Sequence, residues 1–125
     1  MRIIGTYGTL RKGWYNNYIL KDTDAKYIGT GILKGYKMYY ITEMYPAIIE
    51  DHKGECIVEL YRVDESAYYV IDELETAFNY REEKVMIEIN GNKIEASVYV
   101  YNDDIIKEHK EVEGGDWNTS RRNTN

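Results

Sequence analysis

The chain has 125 residues, 43% hydrophobic and 30% charged, with a net charge of −6. That suits one globular domain and supplies no basic footprint for nucleic acid. No apolar run reaches the roughly 20 residues that span a bilayer, so neither nucleic acid nor membrane is expected as a partner.

Met1-Arg2-Ile3-Ile4 runs straight to a glycine and does not resemble a signal peptide. One cysteine, Cys56, allows no intramolecular disulfide, and a reducing, cytoplasmic setting is the expectation. With only His52 and His109 beside it, a structural zinc site is not expected. Fourteen tyrosines against one phenylalanine and one proline are the unusual feature. Tyrosine favours strands and joins an apolar body to a polar tip, so the tyrosines read first as strand residues and second as a ligand surface.

In chain order, Ile3-Ile4 predicts a short strand running into the loop Gly5-Thr6-Tyr7-Gly8-Thr9-Leu10. Gly8 and Gly13 permit backbone shapes that a Cβ resists. Residues 15–20 predict a short helical turn. Residues 26–42 predict two strands around Gly29, Gly31 and Gly35, Tyr45-Pro46 a turn, and Ala47-Ile48-Ile49 a short apolar run. Cys56 to Tyr61 is a further strand. Ala67, Val70, Ile71 and Leu74 then fall at i, i+3, i+4 and i+7, one helical face, with Asp64 placed to cap its start. Its acidic end at Asp72, Glu73 and Glu75 opposes the helix dipole, which marks either a functional site or a solvated patch.

Val85, Ile87 and Ile89 alternate, as do Ile94, Ala96, Val98 and Val100, and Asn90-Gly91 between them predicts a type I′ hairpin. Residues 105–112 predict a weak helix, and 118–125 a frayed or disordered tail. Strands, one substantial helix and more strands make an α+β domain dominated by a twisted antiparallel or mixed sheet.

Gly8-Thr-Leu-Arg-Lys-Gly13 fails as a P-loop, because Trp14 and Tyr15 stand where Lys and Ser or Thr are needed. Gly5, Gly8 and Gly13 do not make the dinucleotide fingerprint either. A strand-to-loop transition of this kind can still present consecutive backbone N–H groups to a carboxylate or oxyanion. The plainer reading is a tight turn.

Tyr7-Gly8-Thr9-Leu10-Arg11-Lys12-Gly13 followed by Asn16, the Tyr45-Pro46 turn and Gly54-Glu55 resemble the γ-glutamylcyclotransferase-like family. So do the Asp72-x-x-Glu75 helix end with Tyr80-Arg81 and the closing Gly115-Asp116-Trp117. The resemblance covers nearly the whole chain, as a domain over 1–117 and a tail over 118–125. Gly5-Thr6 departs from it, since members usually carry bulkier strand residues there. The fold it implies is a small mixed, mostly antiparallel β-barrel with flanking helices and a pocket at one mouth. The activity it implies is cyclisation of a γ-glutamyl amine or amino acid to 5-oxoproline, with no metal or organic cofactor and a small γ-glutamyl compound as partner.

Glu75 is then the expected general base and acid, lying on the flank of the apolar face beside Ile71. Gly8, Thr9 and Leu10 would cradle a carboxylate or oxyanion, Tyr7 would wall the pocket, and Tyr80 would contact substrate or position Glu75. Arg11 and Lys12 read as loop-surface charge, Arg81 as a solvated strand-edge residue, and Trp117 as packing for the tail. Cys56 reads as a buried small hydrophobe rather than a nucleophile. Alternatives are a binding module that uses the same pocket without turnover, and an interaction protein that presents a tyrosine-rich face.

Overall fold

The computed structural model describes residues 2–122. Strand β1 (Arg2–Thr6) leads through the glycine-bearing loop to a single turn of helix, α1 (Tyr18–Lys21). β2 (Lys26–Tyr40) and β3 (Pro46–Val63) then form one long antiparallel hairpin. Helix α2 (Glu65–Ala77) follows, and β4 (Tyr80–Ile89) and β5 (Asn92–Tyr101) make the second hairpin. Two 3-10 turns, Asp104–Glu108 and Glu113–Gly115, precede helix α3 (Trp117–Arg122).

The second hairpin turns at Asn90-Gly91 as its sequence predicts, with φ of 50° and 82°, and Ile89 faces Asn92. The first hairpin is longer than expected. The two strands predicted within 26–42 are one strand, and the run at 47–49 is continuous with the strand containing Cys56. Two of the glycines that suggested breaks, Gly29 and Gly35, mark irregularities instead. Pairing shifts between Tyr27 and Gly29 and again between Lys34 and Tyr36, where Gly35 has φ +92°. A bulge of this kind bends a strand without ending it.

The strands are ordered β1-β3-β2-β4-β5, and the order closes on itself. Pairing around that ring is uneven. β1 and β5 meet in parallel at one registered pair, Ile4 with Ser97, and β2 and β4 at one, Ile32 with Glu88. The expectation of a small β-barrel is corrected accordingly. The α+β domain is a mixed, mostly antiparallel sheet of two well-paired ribbons with flanking helices, not an evenly hydrogen-bonded cylinder. The reason lies in strand length and twist: β1 has five residues and pairs all of them with β3, and twisted neighbours diverge quickly from a single contact. Both thin seams need close backbone approach. A Cβ on Gly31 would lie 2.5 Å from the Glu88 carbonyl oxygen, and one on Gly5 would lie 3.0 Å from Val98 Cγ1. The latter accounts for the small residue in β1.

Asp64 caps α2 as expected, its side chain accepting from the Ala67 N–H at 2.8 Å. The buried face of α2 is turned from the predicted one. Val70 is exposed, and Tyr68 and Ile71 are buried. Tyr68 can take an inward position because its hydroxyl reaches the Glu82 carboxylate. The resulting stripe of Tyr68, Ile71 and Glu75 keeps helical spacing of three and four residues, which turns Glu75 toward the protein. Ile71 joins Ile4, Leu33, Met38, Ile48, Leu60, Ile87 and Val98 in the core.

The C-terminal segment is built into the fold. Where a helix was predicted over 105–112, a 3-10 turn, Asp104–Glu108, forms instead. Trp117 is fully buried against Trp14 and Tyr40. α3 runs to Arg122, across the first part of the tail expected over 118–125, and residues 123–125 of that expectation lie outside the described residues. Among the described residues no helix is long and apolar enough to cross a membrane.

Candidate active site

The end of β1 gives way to the loop because Gly8 has no side chain to accommodate. A Cβ there would lie 2.8 Å from both Cγ and Cδ of Pro46, the first residue of β3. The loop therefore lies flat on the proline ring. It is held from the other side by α1 and its approach. Asn17 donates through Nδ2 to the Leu10 carbonyl at 2.7 Å, and Asn16 donates to the Thr9 hydroxyl at 2.9 Å. Arg11 N–H closes a turn onto the Gly8 carbonyl at 3.0 Å. Among the described residues the N–H groups of Gly8, Thr9 and Leu10 donate to no protein acceptor. Unpaired backbone donors in a held loop suit an anionic ligand.

Gly8→Ala tests this contact. The added methyl must displace the loop from Pro46, and kcat/KM for the reaction proposed below is expected to fall at least about tenfold, with a stability loss of roughly 1–3 kcal/mol. An alanine variant with unchanged kinetics would mean the loop does not need that position.

Segments between Ile4 and Tyr99 meet at the cavity beside this loop. Its volume is about 330 Å³, and its wall includes Tyr7, Gly8, Thr9, Leu10, Glu75 and Tyr80, so the site residues expected from sequence come together. Glu75 arrives from the last turn of α2. Asn79, with φ +75°, then stops the helix in the left-handed conformation that asparagine tolerates, and Tyr80 opens β4 at once. One local device thus sets both side chains.

The two tyrosines spend their hydroxyls on the protein. Tyr7 donates to the Tyr99 carbonyl at 2.7 Å, and Tyr80 donates to the Pro46 carbonyl at 2.6 Å. Burial pushes both phenols well above their ordinary range, and the Glu75 carboxylate nearby adds to the shift. They are neutral walls with fixed orientation. Glu75 is different. Among the described residues nothing hydrogen-bonds or ion-pairs with its carboxylate, and burial raises its pKa from 4.5 to about 7. A carboxyl poised there exchanges a proton in either direction near neutral pH. Asp72, one turn earlier, accepts from the Tyr99 hydroxyl at 2.9 Å and so fixes the helix end against β5.

Several wall residues were not named as site residues from the sequence: Tyr15, Asn16, Tyr45, Phe78 and Tyr99. Asn16 and Tyr45 carried motif signals. The others reach the cavity through packing that one-dimensional spacing does not encode.

Arg11 is the main correction among the charges. Expected on the loop surface, it is 4% exposed. Its guanidinium binds Glu59 Oε2 at 2.8 Å through Nε and Asp116 Oδ1 at 2.9 Å through Nη1. Glu59 also accepts from the Lys12 N–H at 2.9 Å and the Tyr61 hydroxyl at 3.1 Å. This buried cluster anchors the residue just past the loop to β3 and to the start of α3. Lys12 and Arg81 are exposed as expected, and Arg81 pairs with Glu83. Cys56 is buried in β3, and burial lifts its thiol to about 12, which suits an inert core group. Among the described residues no three His, Cys, Asp or Glu side chains gather in a way that could hold a metal ion.

A family model described as γ-glutamyl cyclotransferase, AIG2-like, matches residues 4–119. A protein of Methanocaldococcus jannaschii, provisionally named a γ-glutamylcyclotransferase, is 41% identical over 106 residues, covering 81% of this chain and 85% of that one. A similarly named protein of Pyrococcus horikoshii is 38% identical over 78 residues, a match spanning 62% of this chain and 63% of that relative's length. The crystal structure of a Pyrococcus horikoshii protein described as uncharacterised has a TM-score of 0.80 at 28% identity, covering 99% of this chain and 96% of that one. The chain belongs to the γ-glutamyl cyclotransferase, AIG2-like family.

Proposed function

We propose that the cavity cyclises a γ-glutamyl amide to 5-oxoproline and releases the amine. The observation that carries this reading is a carboxyl near pKa 7 without protein partners, sharing a small cavity with a loop whose N–H groups are unpaired. In the reaction the α-amine of the glutamyl group attacks its own γ-carbonyl. A C–N bond forms in the five-membered lactam, and the C–N bond to the leaving amine breaks. Nucleophile and electrophile share one molecule, so a folded-back pose already supplies a high effective molarity.

The protein's share is therefore small and specific. Glu75, ionised, takes a proton from the substrate ammonium to free the amine for attack. The nitrogen sheds a second proton on becoming the lactam N–H, and both pass to the leaving nitrogen, which departs as an ammonium. No water is consumed, and the apolar walls of Tyr7, Tyr80 and Leu10 keep water from competing. The loop N–H groups hold the substrate carboxylate or the oxyanion of the tetrahedral intermediate.

The test is 5-oxoproline release by purified protein from a panel of γ-glutamyl compounds. Release from none of them by folded protein would overturn the reading. The pH profile follows from the same carboxyl. The base form exists above its pKa, so kcat/KM is expected to reach a plateau above about pH 7 and to fall tenfold per pH unit below it. An acid limb near pH 4.5 instead would mean that Glu75 titrates as an ordinary carboxylate.

A further inference from the structure

We propose that a second hollow, between α1 and the β2–β3 hairpin, binds a small aromatic anion. Its volume is about 350 Å³, within the range of small-ligand sites. It shares no lining residue with the cavity around Glu75. The segment from Gly8 to Asn17 borders both, through Leu10 and Asn16 on one and Lys12 and Asn17 on the other.

Packing supplies an aromatic face. Tyr61 of β3 is buried in the wall and pairs in register with Tyr27 of β2, their ring centroids 5.6 Å apart. Tyr27 is nevertheless 58% exposed. A ring backed by a second ring and open to water on its other side can take a third. Burial and the neighbouring Glu59 lift the Tyr61 phenol to about 12, so it stays neutral and adds no negative charge.

The charges in the wall favour an anion. Lys12, from the loop, and Lys21, from the end of α1, both line the hollow. Their backbones are fixed: the Lys12 N–H donates to Glu59 Oε1 at 2.9 Å and the Lys21 N–H to the Asn17 carbonyl at 3.0 Å. Among the described residues neither ammonium has a hydrogen-bond or ion-pair partner. Glu59 is the one carboxylate among the lining residues, and its oxygens already accept from Arg11, the Lys12 N–H and the Tyr61 hydroxyl. Arg11 also binds Asp116, so Lys12, Lys21 and Arg11 stand against Glu59 and Asp116. Asp22 and Asp24 are exposed and outside the wall. In a chain of net charge −6 this is a local excess of cation. Lysine meets a phosphate or carboxylate as a point charge, and a ring attached to that group can lie on Tyr27.

Phenyl phosphate is the probe, titrated into the full chain and followed by backbone amide shifts. Saturable shifts are expected to centre on Lys12, Lys21 and Tyr27. Affinity is expected to exceed that for inorganic phosphate, and that for benzyltrimethylammonium, at least tenfold. All three side chains are exposed, so their replacement leaves the core untouched. Replacing both lysines, Lys12→Ala with Lys21→Ala, is expected to weaken phenyl phosphate at least tenfold. Tyr27→Ala is expected to bring it down to the affinity of inorganic phosphate. Shifts centred on Tyr7 and Glu75, or no saturation by about 10 mM, would overturn the proposal. So would inorganic phosphate or the cationic ring binding as tightly as phenyl phosphate, or a double lysine variant that binds like wild type. No readout involves 5-oxoproline, so either result leaves the cyclisation reading to its own test.

Discussion

Glu75→Gln is expected to lower 5-oxoproline release by roughly 10²–10⁴-fold while making the protein more stable above pH 7. Loss of activity follows because glutamine cannot take up the proton. The gain in stability follows from the same burial that makes the carboxyl useful. In the folded chain it titrates at about 7, against 4.5 outside the fold. Between those values the folded state holds a proton that the unfolded state has released, so stability falls as pH rises through this window. Above it, the ionised carboxylate sits where burial disfavours it by up to about 3 kcal/mol.

Glutamine has nearly the same shape and no charge to bury. Its melting temperature is therefore expected to exceed that of wild type at pH 8 and to match it near pH 4. Paired thermal scans at the two pH values decide the matter. A variant less stable than wild type at pH 8 would show that Glu75 has a stabilising partner the structure lacks. Activity retained within threefold would remove Glu75 from the chemistry.

Arg11→Ala is expected to cost about 3 kcal/mol of stability, the lower end of the range for breaking a buried ion pair. The side chain is 5% exposed and Glu59 7%, so its removal leaves a carboxylate buried without its cation. The Lys12 N–H and Tyr61 hydroxyl still bond Glu59, which is why the lower end applies. Asp116 adds a pH signature. Burial works to raise its pKa, but hydrogen bonds from Arg11 and Thr119 outweigh that and hold it below 3.8. A depressed carboxyl stabilises the fold above its unfolded pKa and is lost as pH falls through its folded one. The variant should therefore lose part of the acid-side steepness of the stability curve. Urea titrations at pH 7 and pH 3 measure both effects. A stability change under 1 kcal/mol at pH 7 would mean that water or a rearranged side chain compensates Glu59. Because Arg11 directly follows the loop, KM is expected to rise as well, even at temperatures where the variant stays folded.

The parts of this molecule legible in its sequence are those fixed by neighbours in the chain. Asn90-Gly91 dictates its turn through backbone conformation alone. Asp64 caps α2 three residues ahead of the N–H it binds. Glu75 reads as a flank position because helical spacing relates it to Ile71. Arg11 could not be read this way. Its partners lie 48 and 105 residues away, and a charged loop residue with no local mate looks solvated. The inward turn of Tyr68 in place of Val70 depends on Glu82, which becomes its neighbour only when β4 folds back. Gly29, Gly31 and Gly35 looked like strand ends because glycine at a bulge or at a close approach leaves the same trace as glycine at a terminus. The mouth of the cavity was largely invisible for a related reason: Tyr15 and Phe78 occur where no periodic pattern marks them.

The single-pair seams also divide the molecule mechanically. The loop that would hold the substrate's anionic end rides on β1, which is bound fully to β3 and only at Ile4 to β5. Glu75 stands on the helix that connects β3 to β4, on the way to the other ribbon. A small relative rotation of the ribbons would break few hydrogen bonds and would change the distance between Glu75 and the loop N–H groups. Substrate spanning the two would bind the closed arrangement more tightly and shift the population toward it. In amide hydrogen exchange, the seam positions around Ser97 and Glu88 should exchange faster than the interiors of either hairpin, and a bound γ-glutamyl ligand should slow the seams most. That pattern would mark the thin pairing as a hinge, and uniform exchange across seams and hairpins would mark the ring as one rigid unit.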